Sequence, residues 1–384
     1  MMNKFNWPKL TRPDLQAHIY SRALLENVNN LRSLCRPGTK YCAVVKANAY
    51  GHGITEVVNI LREANVEFFA VTSIYEAFHI HSMVGDSRIL ILTPLSPLQA
   101  PEQIHYCAGQ GFHCVVTTVK AAKAVISTLE GTGEILNLHI NVETGMGRCG
   151  ADEDEAVKLL EMIDDCDNTN LAGVFTHFAT ADEEDLSYAY EQLEVYKKFL
   201  ADTGLISRKD VIVHAANSAA TIKMPESHFD MVRCGISMYG YYSRPMKNPP
   251  IKLRPVMKLQ APLTGIKHIP KGHSVSYGRS FVADRDTTIG IVPFGYADGY
   301  WRCFANKSKM KLADTLVNQV GRVCMDQLLI DITDVPNAQL GQMVTIVDDD
   351  HNSECGAYAL AAQAGTIAYE IVTFVHAHVN RIVH

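Results

Sequence analysis

Short apolar runs rich in β-branched residues recur along the first 240 residues, and segments with helical periodicity separate them. The eight runs are Tyr41–Val45, Phe68–Ser73, Ile89–Thr93, His113–Thr118, Ile135–Glu143, Leu171–Phe178, Asp210–Ser218 and Met231–Gly240. Eight strands alternating with helices over about 230 residues predict an α/β fold, a (β/α)8 TIM-type barrel. No G-x-G-x-x-G follows an early run, which disfavours an open dinucleotide-binding sheet.

The pattern changes on both sides of this region. Residues 14–20 alternate apolar and polar side chains with a period of two, as a half-buried strand does, and Ser21 is predicted to cap a helix with apolar positions Leu24, Val28, Leu31 and Cys35. Residues 242–255 hold several prolines and are typical of a linker. The runs Thr288–Pro293, Leu328–Ile332 and Met343–Val347 follow, separated by turns. We therefore expect a barrel over residues 13–245 and a mostly β domain over 246–384, which the N-terminal strand within 1–20 can join.

Composition narrows the function classes. The formal charge of −6 comes without a basic block, so neither nucleic acid nor an anionic membrane surface is expected as a partner. The N-terminus lacks a signal-peptide core, and no apolar run is long enough to span a bilayer, so we expect a cytoplasmic protein. Ten dispersed cysteines without a C-x-x-C pair indicate reduced thiols, and no cysteine or histidine pair has metal-ligand spacing, so no metal is predicted.

The stretch Y-C-A-V-V-K-A-N-A-Y-G-H-G, residues 41–53, carries the first candidate chemistry. It presents Lys46 where a buried strand gives way to a loop, the end of a parallel barrel at which active sites form. A desolvated lysine there can lose its proton and act as a nucleophilic amine, although most lysines are solvated surface groups. Tyr50 and His52 lie close by, and glycines let the backbone approach a ligand.

Further polar clusters fall where later strands end. They are E-T-G-M-G-R, T-H-F-A-T, H-A-A-N-S and V-R-C-G-I, which present Arg148, His177, His214, Asn217, Ser218, Arg233 and Gly235. Singly, His177 could be a hydrogen-bonded core histidine, and either arginine could belong to a structural ion pair. Together they supply an amine, cations, a hydroxyl and glycine amides, which are the groups needed to hold a phosphorylated aldehyde cofactor.

These motifs and others in the same order show a family resemblance. The further motifs are V-S-Y-G-R, G-Y-A-D-G and G-R-V-C-M-D-Q. Over nearly its whole length the chain resembles the bacterial alanine racemases, which use pyridoxal 5'-phosphate and combine an N-terminal barrel with a C-terminal β domain. The resemblance implies a homodimer with shared active sites, a small amino-acid substrate, and racemisation of L-alanine to D-alanine for peptidoglycan.

The resemblance also implies residue roles. Lys46 is expected to bind the cofactor covalently and to serve as the base on one face of the substrate, with Tyr277 of the other subunit as the base on the opposite face. The residues expected to hold the cofactor are Lys46, Tyr50, Arg148, His177, Asn217, Ser218, Arg233, Gly235 and Ile236. Arg148 and the Met325 amide are expected to bind the substrate carboxylate. Tyr296, Asp326 and Asn141 are expected behind the reacting groups or at the substrate entrance.

Arg233 carries a mechanistic implication of its own, because it should face the pyridine nitrogen of the cofactor. A guanidinium there donates a hydrogen bond but hardly gives up its proton, so the carbanion is less delocalised than it would be beside a carboxylate. Such a site favours prompt reprotonation at Cα. That reaction is racemisation rather than transamination or elimination.

Two positions depart from the family pattern. Asn141 stands where many members carry a carbamylated lysine that fixes the arginine, so Arg148 is expected to be held by a bound chloride or by Glu143. Ala377 aligns with a tyrosine that, in the family, contacts the phosphate and crowds the substrate. Alanine at this position would leave a wider pocket, so a serine or broad-specificity racemase is an alternative. A decarboxylase of the same barrel and a non-catalytic cofactor carrier are further alternatives. The V-S-Y-G and T-G-M-G-R stretches argue against the decarboxylase, and the β domain with Tyr277 argues against the carrier.

Overall fold

The computed structural model describes residues 12–384. Residues 1–11 lie outside the described part of the chain. They include the beginning of the segment 1–20, whose strand we expect can join the second domain, and the stretch considered for a signal peptide. The first strand, β1 (Arg12–Ile19), is not part of the barrel. Its side chains Leu15, Ala17 and Ile19 are buried, as the period of two predicts.

Eight parallel strands form a closed barrel, which confirms the predicted fold class. They are β2 (Lys40–Val44), β3 (Phe68–Val71), β4 (Arg88–Pro94), β5 (His113–Val116), β6 (Leu136–Asn141), β7 (Thr169–Phe175), β8 (Ile212–His214) and β9 (Met231–Cys234). Pairing of β2 with β9 closes the barrel and places Cys42 opposite Arg233. Several strands end earlier than the apolar runs do, because residues such as Ala215 and Ile236 are buried in loops over the barrel mouth.

Helices surround this barrel and cover its outer face. They are Ser21–Arg32, Ile54–Arg62, Ile74–His81, Pro101–Gly109, Val119–Leu129, Glu153–Asp164, Ser187–Asp202 and Ser218–Lys223. Leu24, Val28 and Leu31 of the first helix are buried as expected. The predicted capping role of Ser21 is wrong: Tyr20 is the N-cap without a side-chain cap, and Ser21 is helical and donates its hydroxyl to the His384 carbonyl. The helix ends at Arg32, before Cys35.

The second domain is mostly β. Its strands are β10 (Met257–Pro262), β11 (Gly265–Ile269), β12 (Ser274–Val275), β13 (Phe281–Val282), β14 (Thr287–Val292), β15 (Lys309–Leu312), β16 (Thr315–Asn318), β17 (Leu328–Asp331), β18 (Met343–Val347) and β19 (Val379–Val383). A six-stranded sheet has the order β16-β15-β18-β10-β1-β19, and a three-stranded sheet has the order β11-β14-β17. The N-terminal strand β1 thus lies between β10, to which it is antiparallel, and β19, to which it is parallel.

Two short helices, Ala357–Ala364 and Ala368–Thr373, also belong to the C-terminal part and were not predicted. They pack against each other, and the second helix also packs against the turn that follows β2. This packing brings a C-terminal helix to the open end of the barrel, where the candidate site lies.

Candidate active site

A cavity of about 220 Å³ lies at the carboxyl ends of the barrel strands. The sequence-predicted residues that line it are Lys46, Tyr50, Asn141, Arg148, His177, Asn217, Ser218, Arg233, Gly235 and Ile236. They come from the ends of β2, β6, β7, β8 and β9 and from the loops that follow. Because parallel strands end on the same face of a barrel, residues up to 190 positions apart meet here.

The turn after β2 presents Lys46 in an uncommon backbone conformation. Ala47, Asn48, Ala49 and Tyr50 all have positive φ, between 51° and 54°. A left-handed turn of L-residues costs about 1–2 kcal/mol per residue, so the surrounding structure must enforce it. Glycine occupies none of the four positions, so the residue pattern does not predict this turn.

Several contacts hold the turn in place. Glu76 accepts a hydrogen bond from the Ala47 amide at 2.8 Å, and the Asn48 side chain accepts one from the Ile54 amide at 2.9 Å. The His52 ring stacks on Tyr239 with centroids 4.4 Å apart. The turn also packs against the C-terminal helix Ala368–Thr373.

Gly51 and Arg381 join the lysine turn to the C-terminal region. Gly51 has φ +79°, and a Cβ there would lie 2.0 Å from the Val372 carbonyl oxygen. The Arg381 guanidinium donates at 2.6 Å to the Gly51 carbonyl and at 2.9 Å to the Val375 carbonyl. The position of Lys46 therefore depends on chain more than 300 residues away.

The surroundings of Lys46 favour its neutral amine. Burial lowers the pKa of Lys46, nearby Arg148 lowers it further, and Glu76 opposes the shift. A lysine with a lowered pKa is the form that attacks aldehydes, so the geometry supports the predicted nucleophile.

Arg233 is buried in a dense set of hydrogen-bond acceptors. Its Nη2 donates to the Thr176 carbonyl at 2.9 Å, to the Ala215 carbonyl at 3.1 Å and to His177 Nδ1 at 3.3 Å, and its Nη1 donates to His214 Nδ1 at 2.9 Å. Burial lowers the pKa of Arg233 to about 10, so it stays charged at neutral pH. Its Nε–H has no acceptor within the described part of the chain.

His177 is neutral in this environment. Burial, followed by the charges of Arg233, Arg148 and Lys46, lowers the pKa of His177 to about 3. Because Arg233 can only donate, His177 Nδ1 accepts, and the imidazole proton resides on Nε2. His177 and Arg233 are therefore direct neighbours within one subunit.

One corner of the cavity gathers hydroxyl and amide groups. Ser218 Oγ accepts from the Gly235 amide at 2.8 Å, and a Cβ on Gly235 would lie 2.5 Å from the Tyr50 hydroxyl oxygen. The Ile236 amide donates to no acceptor within residues 12–384. Asn217 lines the cavity as well, and its side chain caps the following helix by accepting from the Ala220 amide at 3.0 Å. Such a corner can receive several oxygens of an anion.

Tyr369, on the C-terminal helix Ala368–Thr373, completes this corner and was missed by the sequence reasoning. Its ring lies 6.2 Å from that of Tyr50, and its hydroxyl shares a 2.8 Å hydrogen bond with Ser243 Oγ. Burial raises the pKa of Tyr369 to about 12 and also raises the pKa of Tyr50, so both phenols keep their protons.

The expected gap at Ala377 is wrong for this subunit, because Ala377 is exposed and does not line the cavity. Tyr369 occupies the cavity wall instead. The sequence signal was the stretch T-I-A-Y-E-I, eight residues before the position that we had aligned. A tyrosine therefore lines the cavity where a wider, serine-accepting pocket was expected.

Glu143 does not hold the side chain of Arg148, contrary to one expectation. Its carboxylate accepts from the amides of Gly145 at 2.7 Å and Gly147 at 2.9 Å and so orders the turn that carries Arg148. Burial alone would raise the pKa of Glu143, but these amide hydrogen bonds outweigh it and the pKa is lowered. No ion pair to the Arg148 guanidinium occurs among the residues described. The Asn141 amide faces Cys149, with Nδ2 3.8 Å from Sγ.

Four predicted residues lie outside the cavity of their own subunit, on the surface of the β domain. Tyr277, Tyr296, Met325 and Asp326 are exposed, Tyr277 by 69%. Two hydrogen bonds bring three of their segments together: the Ser276 hydroxyl donates to the Arg322 carbonyl at 2.7 Å, and the Tyr296 amide donates to the Cys324 carbonyl at 3.1 Å. The Met325 amide has no acceptor in the described chain.

Among residues 12–384, no helix is both long and apolar enough to cross a membrane.

Two family models match the chain. "Alanine racemase, N-terminal domain" matches residues 19–243, and "Alanine racemase, C-terminal domain" matches residues 256–383. The alanine racemase of Chlorobaculum tepidum is 37% identical over 366 residues, which cover 94% of this chain and 93% of that protein. The alanine racemase of Methanococcus maripaludis is 34% identical over 368 residues, covering 95% of this chain and 97% of that protein.

Solved structures agree with these matches. The structure of alanine racemase from Clostridium difficile 630 has a TM-score of 0.88 at 31% identity, and the match covers 97% of this chain and 96% of that one. The crystal structure of alanine racemase from Bacillus anthracis with bound L-Ala-P has the same TM-score and identity, covering 97% and 95% of the two chains.

Proposed function

The chain belongs to the alanine racemase family, and on that premise we propose that it interconverts L-alanine and D-alanine with pyridoxal 5'-phosphate bound at Lys46. One observation carries the proposal. The cavity holds a lysine and two arginines, and none of the described residues that line it is acidic. An aldehyde with a dianionic phosphate fits such a lining in both charge and reactivity.

The residues present fit the two ends of this cofactor. The corner formed by Ser218, Tyr50, Tyr369 and the Ile236 amide supplies neutral hydrogen-bond donors for the phosphate oxygens, and the Gly235 amide, by donating to Ser218 Oγ, leaves the Ser218 hydroxyl proton to face the phosphate. Gly235 admits the Tyr50 hydroxyl only because it has no Cβ. Lys46 supplies the amine for the aldehyde end, and Asn217 caps the helix behind the phosphate corner.

Arg233 is proposed to face the pyridine nitrogen through its free Nε–H. When bound, the cofactor supplies an electron sink that acidifies the Cα–H bond of an attached amino acid. The hydrogen bonds from Arg233 to His214, Thr176 and Ala215 fix the guanidinium, which can donate a hydrogen bond but not a proton. The arginine therefore limits how much negative charge the ring accepts.

Racemisation requires a base on each face of the substrate. Lys46, with its lowered pKa, is proposed to take or return the Cα proton on one face. Tyr277 is proposed to do so on the other face, from the β domain of a second subunit, since it is exposed and outside the cavity of its own chain. His177 and Arg233 would neighbour the tyrosine in the assembled site.

The assembled site would then require a homodimer. The proposal is supported by the cluster of Tyr277, Tyr296 and Met325, large side chains that a monomer leaves exposed to solvent. The unpaired Met325 amide would join Arg148 in binding the substrate carboxylate. Tyr296 and Asp326 would lie at the entrance.

An anion is proposed beside Arg148. The Asn141 side chain in the wall of the cavity is uncharged, and the Glu143 carboxylate already accepts hydrogen bonds from backbone amides. Neither side chain therefore neutralises Arg148. A chloride ion near Asn141 and Arg148 would neutralise the arginine and fix its direction. Binding of chloride would be detected as a salt-specific change in KM that sulfate does not reproduce.

The product D-alanine is proposed to supply peptidoglycan synthesis, and the enzyme to work in the cytoplasm. A strain lacking the protein should then require added D-alanine for growth. Growth without D-alanine, in the absence of another racemase, would contradict this role.

The function is tested on purified protein with the cofactor added. We expect conversion of L-alanine to D-alanine, followed by chiral chromatography, far faster than conversion of L-serine in a parallel assay. Lys46→Ala should lose the visible absorption of bound cofactor and at least about a thousandfold in rate. The matched control is Lys197→Ala, on the surface of helix Ser187–Asp202. Absent racemisation in protein that binds the cofactor, or D-serine forming as fast as D-alanine, would contradict the proposal.

A further inference from the structure

Three buried histidines form a hydrogen-bonded column through the interior of the barrel. His113 Nδ1 lies 2.9 Å from His139 Nε2, and His139 Nδ1 lies 3.0 Å from His214 Nε2. His214 Nδ1 then meets Arg233 Nη1 at 2.9 Å. The three rings come from β5, β6 and β8, so the barrel closure itself aligns them.

The column has a single direction, which Arg233 sets. A guanidinium has only donors, so His214 Nδ1 must accept, and the proton of the neutral ring lies on Nε2. That Nε2–H can only donate to His139 Nδ1. The same argument places the His139 proton on Nε2 and directs it to His113 Nδ1, so all three rings share one tautomer.

The rings are neutral in this interior. Burial is the largest cause that lowers the pKa of each: to about 4 for His113, and well below the usual value for His139 and His214. A charged ring would offer donors on both nitrogens and would place one of them against the next donor. The hydrogen-bond geometry and the burial therefore agree on three neutral imidazoles.

The far end of the column opens at the opposite face of the barrel. His113, the first residue of β5, lines a recess of about 480 Å³ with Lys40, Arg88 and Lys209. His113 Nε2 has no partner within residues 12–384, so water can accept from it there. Every other nitrogen of the column is paired inside the protein.

The neighbouring strands are shaped around the column. Gly173 of β7 lies against His139: a Cβ there would be 2.3 Å from His139 Nδ1. Phe175, on the same strand, stacks on His214 with centroids 4.8 Å apart and also supports Arg233, whose Cζ lies 5.0 Å from the ring centroid. An apolar barrel interior would need neither feature.

We propose that His139 and His113 are positioning residues of the active site, which keep His214 in its Nε2–H tautomer so that its Nδ1 accepts from Arg233. The tautomer of His214 does not depend on the cofactor. Only its consequence for racemisation rests on the proposed function, in which Arg233 faces the pyridine nitrogen.

Removing the acceptor at His139 breaks the column. In His139→Leu, the Nε2–H of His214 would be a buried donor without a partner, so the tautomer that Arg233 favours would lose its second hydrogen bond and the Nδ1–H form would become populated. Two donors would then face each other between His214 and Arg233, and the guanidinium would turn. His139→Asn keeps an acceptor near the position of Nδ1 and should preserve the arrangement.

The direct test is two-bond ¹H–¹⁵N NMR of histidine-labelled protein, with and without pyridoxal 5'-phosphate. We expect the Nε2–H pattern for His113, His139 and His214 in the wild type, an Nδ1–H or mixed pattern for His214 in His139→Leu, and recovery in His139→Asn. A wild-type His214 protonated on Nδ1, or one unchanged in His139→Leu, would overturn the proposal. The wild-type measurement remains decisive even if His139→Leu does not fold.

Kinetics give the second readout. We expect His139→Leu to lower kcat for alanine roughly tenfold, equivalent to about 1.4 kcal/mol, with a smaller change in KM. Gly173→Ala, which displaces His139 without altering the column residues, should act in the same direction. The matched control is His228→Asn, a buried histidine that bonds to the Thr221 carbonyl outside the column. An equal kcat loss in His228→Asn would assign the effect to general destabilisation and overturn the proposal.

Discussion

The barrel cavity and the exposed β-domain surface differ in how complete each is within one chain. In the cavity, Arg233 and Ser218 are buried and hydrogen-bonded to neighbours from three strand ends. On the surface, Tyr277 is 69% exposed and Met325 is 54% exposed. The first region is organised by folding alone. The second acquires a chemical role only against another molecule, which under the proposed function is a second copy of the chain.

The largest expected effect is the recovery of racemase activity when two inactive variants are mixed, because only a site shared between subunits can restore it. Tyr277→Phe should lose about a hundredfold or more in racemisation, as expected when a general base is removed. When Lys46→Ala and Tyr277→Phe proteins are unfolded together and refolded, hybrid dimers contain one site with both bases. We expect about a quarter of wild-type activity in the mixture, because half of the dimers are hybrids with one intact site each.

The control is Tyr190→Phe, another partly exposed tyrosine, mixed with Lys46→Ala. That mixture should be active before any refolding, because the Tyr190→Phe protein is itself active. The mixture of Lys46→Ala and Tyr277→Phe, the critical mixture, should be inactive until it is refolded. If the critical mixture stays inactive while both proteins refold to dimers, Tyr277 does not serve the cavity of a partner.

In the buried region, Gly51→Ala should disrupt the contact between the lysine turn and the C-terminal region. Gly51→Ala combines a positive φ with a Cβ against the Val372 backbone, so we expect the free energy of unfolding to fall by about 3 kcal/mol or more. Gly38→Ala is the matched control, since its φ is +90° but, apart from its chain neighbours, no atom of residues 12–384 lies within 4 Å of the added Cβ. That variant should lose only about 1 kcal/mol in urea unfolding. Equal losses would show that the contact with Val372 does not constrain the lysine turn.

Tyr369 and Ala377 offer a sharper test of what completes the cavity. Tyr369→Phe should weaken cofactor binding roughly tenfold, because a hydrogen bond to a charged acceptor is lost. Ala377→Tyr should leave cofactor affinity unchanged, since position 377 is exposed and outside the cavity. Fluorescence titration of apoprotein with pyridoxal 5'-phosphate measures both. Tighter binding in Ala377→Tyr would restore the alignment that the structure contradicts.

The smallest expected effect is a dependence of stability on pH. His113 and His177 have folded pKa values of about 4 and about 3, against an ordinary value of 6.5. The unfolded chain therefore binds protons as pH falls below 6.5 while the folded chain does not, and the free energy of unfolding decreases. The stability that these two neutral histidines contribute is fully present above pH 6.5 and is lost as the pH falls towards 4.

Urea unfolding at pH 7.5, 6 and 5 would measure this loss, which is at most about 1.4 kcal/mol per pH unit for each histidine. His113→Asn should show a shallower decline than the wild type. An unchanged slope would mean that His113 titrates alike in both states.

Much of the cavity could be predicted because its chemistry is local. The strand ends after β2, β6, β7, β8 and β9 each carry a short polar motif, and a parallel barrel brings such ends to one face whatever the loops do. Lys46, Arg148, His177, Ser218 and Arg233 therefore follow from position along the chain. The exposure of Tyr277 fits the proposed role in a partner subunit, which the family resemblance implies.

Only the tertiary structure decided how these groups are held. Tyr369 reaches the cavity because a C-terminal helix packs on the lysine turn, and the left-handed conformation of residues 47–50 exists because Gly51 and Arg381 join that turn to the same region. The tautomers of His113, His139 and His214 follow from one donor-only neighbour, Arg233. Patterns along the sequence record which residues are buried and where strands end. Sequence patterns do not predict long-range contacts, because these depend on how distant segments pack and on which donors and acceptors then meet.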